Sequence, residues 1–143
     1  MIAYLDSSAL VKLYVAEAGS KETAEIVKRA DILGTSVISR VEVAAALAKA
    51  VRAGVLSAGA ARKAEQVFAA QWADLASIPV TEGLLSRAEG LAWSYTLRGF
   101  DAVHLACALI WRESVGMEVT LVTFDHQLSE AGEKAGLEVW PVI

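Results

Sequence analysis

Short apolar runs alternate with longer amphipathic stretches along the chain. Residues 2–5, rich in Ile and Tyr and ended by Asp6, have the length and composition of a buried strand. Ser7 or Ser8 can cap the next helix, on which Leu10, Val11, Leu13 and Tyr14 form one apolar face. Ala18, Gly19 and Ser20 interrupt it. Ser20 then caps a second helix, with Ala24, Ile26 and Val27 apolar against Lys21, Glu22, Glu25, Lys28 and Arg29. The β-branched stretch 32–39 predicts a second strand. Residues 40–53 and 57–76 predict two long helices, and the short Gly-Val-Leu link between them predicts an antiparallel hairpin.

Residues 77–80 predict a short strand, and Thr81 caps a helix reaching about Leu97. Gly99 breaks the pattern, and 101–115 predicts a very apolar helix. A strand rich in Val and Thr is expected over 118–124. A short helix over 128–134, stopped by Gly136, and a last strand over 138–143 complete the chain. Strands separated by helices predict an α/β fold with a parallel sheet covered by helices on both faces. With 143 residues and no linker, repeat or low-complexity segment, a single domain is expected over 1–143.

Composition narrows the class. At 55 % hydrophobic, the chain can bury a sizeable core, and disorder is not expected. Cys107 is the one cysteine, so no internal disulfide is possible. Its apolar neighbours predict a free buried thiol, as suits a reducing cytoplasm. The N-terminal stretch has no basic start, and Asp6 interrupts its apolar run, so a signal peptide is not expected. No run of about 18 uncharged apolar residues predicts a membrane span.

The formal charge of −4 argues at first against a nucleic-acid partner, which usually meets a basic face. Four of the 17 acids have a special placement, however, and the remaining 13 equal the 13 Lys and Arg. Asp6 ends the first strand, and Asp125 follows the strand TLVTF. In open parallel sheets, ligands bind beyond the carboxyl ends of the strands, so these two are candidates for one site. Asp101 opens the helix DAVHLACALIW, and Glu42 lies in the first turn of an Ala/Val helix. Each acid has an ordinary reading: Asp101 as a cap, Glu42 as a complement to the helix dipole, Asp125 as a turn residue.

Together they predict more. Clustered carboxylates raise one another's pKa unless a cation joins them. Oxygen-only ligands select hard cations such as Mg²⁺ or Mn²⁺, and the scarcity of Cys and His argues against zinc.

The motifs LDSSALVKLY, SRVEVAAAL, RGFDAVHLA and VTFDHQL, in this order, resemble the PIN domain, and more narrowly the VapC toxins of toxin–antitoxin pairs. The resemblance covers essentially the whole chain. It implies a three-layer α/β/α sandwich and an acidic quartet of Asp6, Glu42, Asp101 and Asp125, with Ser7 and Thr123 at hydroxyl positions flanking the metal, where they and Arg98 are the candidate substrate contacts. It also implies a Mg²⁺- or Mn²⁺-dependent endoribonuclease. In that reading Asp6, Asp101 and Asp125 hold metal directly, while Glu42 completes the shell or orients the water. A cognate antitoxin (VapB-like) and a homodimer follow from the same resemblance. The Ala-rich hairpin over 40–76 is the candidate interface.

Arg98 and Arg40 lie near Asp101 and Glu42 in sequence and could touch phosphate, or could be surface or ion-paired arginines. His104 shares a helix face with Asp101, and its ordinary reading is a structural, hydrogen-bonded histidine. His126 reads as an exposed loop residue and Glu17 as a solvated acid. Trp72, Trp93 and Trp111 are expected in core or interface packing, and Trp140 in the core.

Two other classes compete. A binding module of the same fold would hold RNA or a protein without cutting. A phosphatase or phosphotransfer domain also places an Asp after strand one. The haloacid dehalogenase type needs a second Asp where this chain has Ser8, and a receiver-type domain needs paired acids near the start.

Overall fold

Five strands and seven α-helices alternate in a computed structural model, which describes residues 1–142. Strand β1 (Ile2–Leu5) is buried along its length. It pairs with β2 (Ile32–Ser36) on one side and β4 (Val119–Val122) on the other. β3 (Ala76–Ile78) and β5 (Glu138–Trp140) form the edges, giving the order β3-β2-β1-β4-β5. All four pairings are parallel. Parallel neighbours need crossover connections, which the helices supply.

Side chains alternate across β1 and sort the helices into two layers. Ile2 and Tyr4 pack with α5 (Glu82–Tyr95), α6 (Gly99–Val115) and α7 (His126–Lys134). Ala3 and Leu5 pack with α1 (Ser7–Leu10), α2 (Ser20–Arg29), α3 (Ser39–Arg52) and α4 (Ala58–Gln71). This is the expected three-layer α/β/α sandwich. Gly34 in β2 is a point of close approach, since a Cβ there would lie 2.5 Å from the Trp111 ring of α6. No helix among the described residues is long and apolar enough to cross a membrane.

Several boundaries move for local reasons. The cap of α1 is Asp6, not Ser7 or Ser8, because its carboxylate accepts the Ala9 N–H. The residue before α2 is Gly19, in the left-handed conformation at φ 93°, with Ser20 already helical. β2 stops at Ser36, and α3 starts at Ser39. A 3-10 turn, Trp72–Asp74, ends the second hairpin helix before β3. Left-handed Thr96 stops α5, so Gly99 is not a break but the first residue of α6. Ser57 and Thr81 cap α4 and α5 through their side-chain oxygens. The last strand ends at Trp140, short of the expected extension, because Pro141 and Val142 lie outside it; Ile143 lies outside the described residues.

Candidate active site

Because β1 and β4 are neighbours, the chain segments leaving their carboxyl ends are neighbours too. The Asp6 N–H donates to the Val122 carbonyl at 3.1 Å, tying the two exits together. Asp6 is 3 % exposed and accepts three hydrogen bonds. Ser8 Oγ (2.7 Å) and the Ala9 N–H (2.9 Å) reach Oδ1, and Thr123 Oγ1 (2.6 Å) reaches Oδ2. Burial pushes the Asp6 carboxyl above the usual carboxylate range, while these hydrogen bonds and His104 act in the opposite direction. Such an acid is held rigidly, but its charge lacks a full counterweight.

Glu42, in the first turn of α3, meets His104 of α6. His104 Nε2 lies 2.6 Å from Glu42 Oε1, and Nδ1 lies 2.7 Å from the Tyr4 hydroxyl of β1. A carboxylate can only accept, so Nε2 carries the proton in that bond. In a neutral ring, Nδ1 then accepts from Tyr4. The buried histidine is structural, as its ordinary reading holds, and what it structures is Glu42. Burial raises the Tyr4 hydroxyl pKa well above its ordinary value.

Asp101 and Asp125 are joined through Arg98, the residue that precedes α6. Arg98 Nε donates to Asp101 Oδ2 at 3.0 Å, and Nη2 donates to Asp125 Oδ2 at 2.7 Å. Asp125 also caps α7, with Oδ1 accepting the Leu128 N–H at 2.9 Å. Burial raises the Asp101 carboxyl pKa. The Arg98 hydrogen bond lowers it, and the Asp125 charge raises it further. Arg98 is therefore ion-paired here.

Asp6, Ser7, Ser8, Glu42, Arg98, Gly99, Phe100, Asp101 and Asp125 line one cleft of about 540 Å³. The structure thus brings together all four candidate acids, with Ser7 and Arg98. Thr123 is fully buried behind them. Its hydroxyl donates to Asp6 and accepts the Asp125 N–H at 3.1 Å, so it holds two acids in place of a substrate contact. Ser8, Tyr4 and Phe100 escaped the sequence reading as site residues. For Ser8 a signal was present in the Asp-Ser-Ser run. Its hydroxyl donates to Asp6 and accepts the Phe124 N–H at 3.1 Å.

Other candidates lie elsewhere. Arg40 stacks over the Trp72 ring. Glu17 pairs with Lys12, and His126 is exposed. Trp72 and Trp140 pack against one core cluster and Trp111 against the other, all partly buried. Trp93 is 89 % exposed on α5. Cys107 is a free buried thiol whose pKa burial raises.

The donor set suits a hard divalent cation. All four acids offer oxygen only, and cationic charge would relieve the strained ionisation of Asp6 and Asp101. Arg98 already acts as a monovalent cation between two of them. Among the described residues, no three His, Cys, Asp or Glu side chains already stand in ligating position. The donors are gathered but not closed on a point.

Fold and cleft together define the class, a three-layer α/β protein with an acidic site beyond the carboxyl ends of its central strands. The PIN domain family matches residues 3–134. Ribonuclease VapC45 of Mycobacterium tuberculosis (strain CDC 1551 / Oshkosh) is 34 % identical over 141 residues, spanning 98 % of this chain and 95 % of that protein. Ribonuclease VapC49 of strain ATCC 25618 / H37Rv matches with the same identity and coverage. Among solved structures, a toxin–antitoxin complex from Klebsiella pneumoniae superposes with a TM-score of 0.64 at 21 % identity, over 86 % of each chain. The chain belongs to the PIN-domain family, and within it to the VapC ribonucleases.

Proposed function

We propose that this VapC-type ribonuclease is the toxin of a toxin–antitoxin pair, and that one nuclease domain over 1–143 cuts RNA internally at the acidic cleft. The observation carrying this reading is that four acids from four separate segments line one cleft. Asp6, Asp101 and Asp125 would hold Mg²⁺ or Mn²⁺. When bound there, such an ion supplies Lewis-acid charge that makes water a competent nucleophile near neutral pH and offsets charge on the phosphoryl oxygens.

The chain's own residues do the rest. Ser8, Thr123 and the Ala9 N–H fix both oxygens of Asp6. His104, anchored by Tyr4, aims Glu42, which orients the attacking water and takes its proton. Arg98 and Ser7 contact the substrate at the cleft, Arg98 through paired hydrogen bonds to phosphate. Water attacks phosphorus and the 3′ oxygen leaves, so the products carry 5′-phosphate and 3′-hydroxyl ends.

The test is cleavage of RNA by wild type and Asp101→Asn, each with Mg²⁺ and with EDTA. Only wild type with Mg²⁺ is expected to cut. Equal cleavage in all four would sink the assignment, and a 2′,3′-cyclic phosphate end in mass spectra would refute the water attack.

The partners follow the same reading. A VapB-like antitoxin covers the cleft and presents a basic side chain to the acids, in keeping with the fold shared with the Klebsiella complex. The protein acts in the cytoplasm as a homodimer, for which exposed Val41 and Val67 on the α3–α4 hairpin offer apolar surface.

A further inference from the structure

Arg98 precedes α6 as its N-cap residue, yet its side chain makes no capping hydrogen bond. The helix therefore does not explain its posture. The guanidinium instead spans two acids from different elements, Asp101 of α6 and Asp125 at the start of α7. Asp125 commits Oδ1 to the Leu128 N–H, so Oδ2 is its free oxygen, and Arg98 takes it. These bonds are the whole of its hold, because the side chain is 72 % exposed. Exposed pairs of this kind are weak and exchange readily. One guanidinium against two carboxylates also leaves a negative charge uncompensated, and buried Asp6 lies in the same cleft.

We infer that Arg98 is an internal counter-ion that holds Asp101 and Asp125 together in the metal-free protein and is displaced when a divalent cation binds. This rests on the proposed metal site. A divalent ion brings twice the charge of a guanidinium and competes for the same Oδ2 atoms. The released side chain stays tethered three residues from Asp101, at the cleft, where its forked donors match phosphate oxygens. Metal entry and phosphodiester capture are then coupled, since the cation removes the carboxylates that compete with phosphate for Arg98.

The experiment is titration calorimetry of Mn²⁺ into wild type, Arg98→Gln and Arg98→Lys without RNA, with thermal unfolding in EDTA as a check on folding. Arg98→Gln is expected to bind Mn²⁺ roughly three- to tenfold more tightly, the scale set by losing weak exposed pairs. Arg98→Lys is expected between that variant and wild type, because a point ammonium cannot fork across both carboxylates.

Equal or weaker Mn²⁺ binding by Arg98→Gln would overturn the inference. Arg98→Lys binding Mn²⁺ as tightly as Arg98→Gln would overturn it too, because a retained positive charge would then be no competitor. If none of the three proteins binds Mn²⁺, the metal reading itself falls and takes the inference with it. If all three bind it alike, the metal reading stands and only the counter-ion role is lost.

Discussion

Replacing His104 by alanine removes the side chain that connects the core to Glu42. The ring is buried, edge-on to Tyr4 with centroids 5.9 Å apart, and bonded at both nitrogens. Its loss leaves the buried Tyr4 hydroxyl with only the weak Cys107 thiol beside it, which costs about 1–3 kcal/mol. The missing ring contacts and the space left behind add about 1–2 kcal/mol. Glu42 reaches solvent and can rehydrate, so it adds little. The expected loss is about 3 kcal/mol. With a urea dependence of about 2 kcal/mol per molar, the unfolding midpoint falls by about 1.5 M.

Tyr4→Phe separates the hydroxyl from the ring. In Tyr4→Phe/His104→Ala there is no hydroxyl to strand, so the double variant is less destabilised than the summed singles by about 1–2 kcal/mol. Cleavage by His104→Ala is expected to lose about tenfold or more in kcat with little change in KM, as Glu42 loses its aim. A loss of stability below about 1 kcal/mol, or additivity in the double variant, would refute the relay from Tyr4 to Glu42.

Two further outcomes follow from Asp6. Its folded-state pKa is raised by burial, so the folded protein holds that proton more tightly than the unfolded chain does. Its contribution is fully present below the unfolded value and is lost as pH rises through the folded value. Asp6→Asn in EDTA should therefore unfold at higher temperature than wild type near pH 7. The gap should close as pH falls toward the ordinary carboxylate range; a gap independent of pH would contradict the assignment. Ser8→Ala removes a donor to Asp6 and an acceptor for Phe124, and should cost about 1–2 kcal/mol in urea unfolding. Ser7→Ala, at a side chain without a hydrogen-bond partner among the described residues, should stay within about 0.5 kcal/mol, and equal losses in the pair would be the contrary result.

Local chemistry carried much of this protein into view. Runs such as IAYL and VTLV are apolar, β-rich and short, so they read as buried strands before any partner is known. Thr81 reads as a cap because a hydroxyl three residues before a free N–H needs no distant help. Asp6 and Asp125 were marked by lying just beyond strand ends, a position that a parallel sheet turns into a common edge. The resemblance to the PIN domain added Glu42 and Asp101, which helix-end chemistry alone left with ordinary explanations.

Tertiary structure decided the pairings. Strand order depends on which surfaces fit, so nothing local says that β4, far along the chain, lies beside β1. Glu42 and His104 are 62 residues apart, and Thr123 and Asp6 are 117 apart. Their hydrogen bonds exist only because α6 packs beneath β1 and β4 leaves the sheet next to it. The same packing turned Thr123 from a substrate contact into a support and set Arg98 between two acids. The sequence by itself determined which residues could carry charge, cap a helix or fill a core, since those properties belong to single side chains and their neighbours. Which acid is buried, which is braced and which is bridged depended on distances across the fold, and those are properties of the folded chain alone.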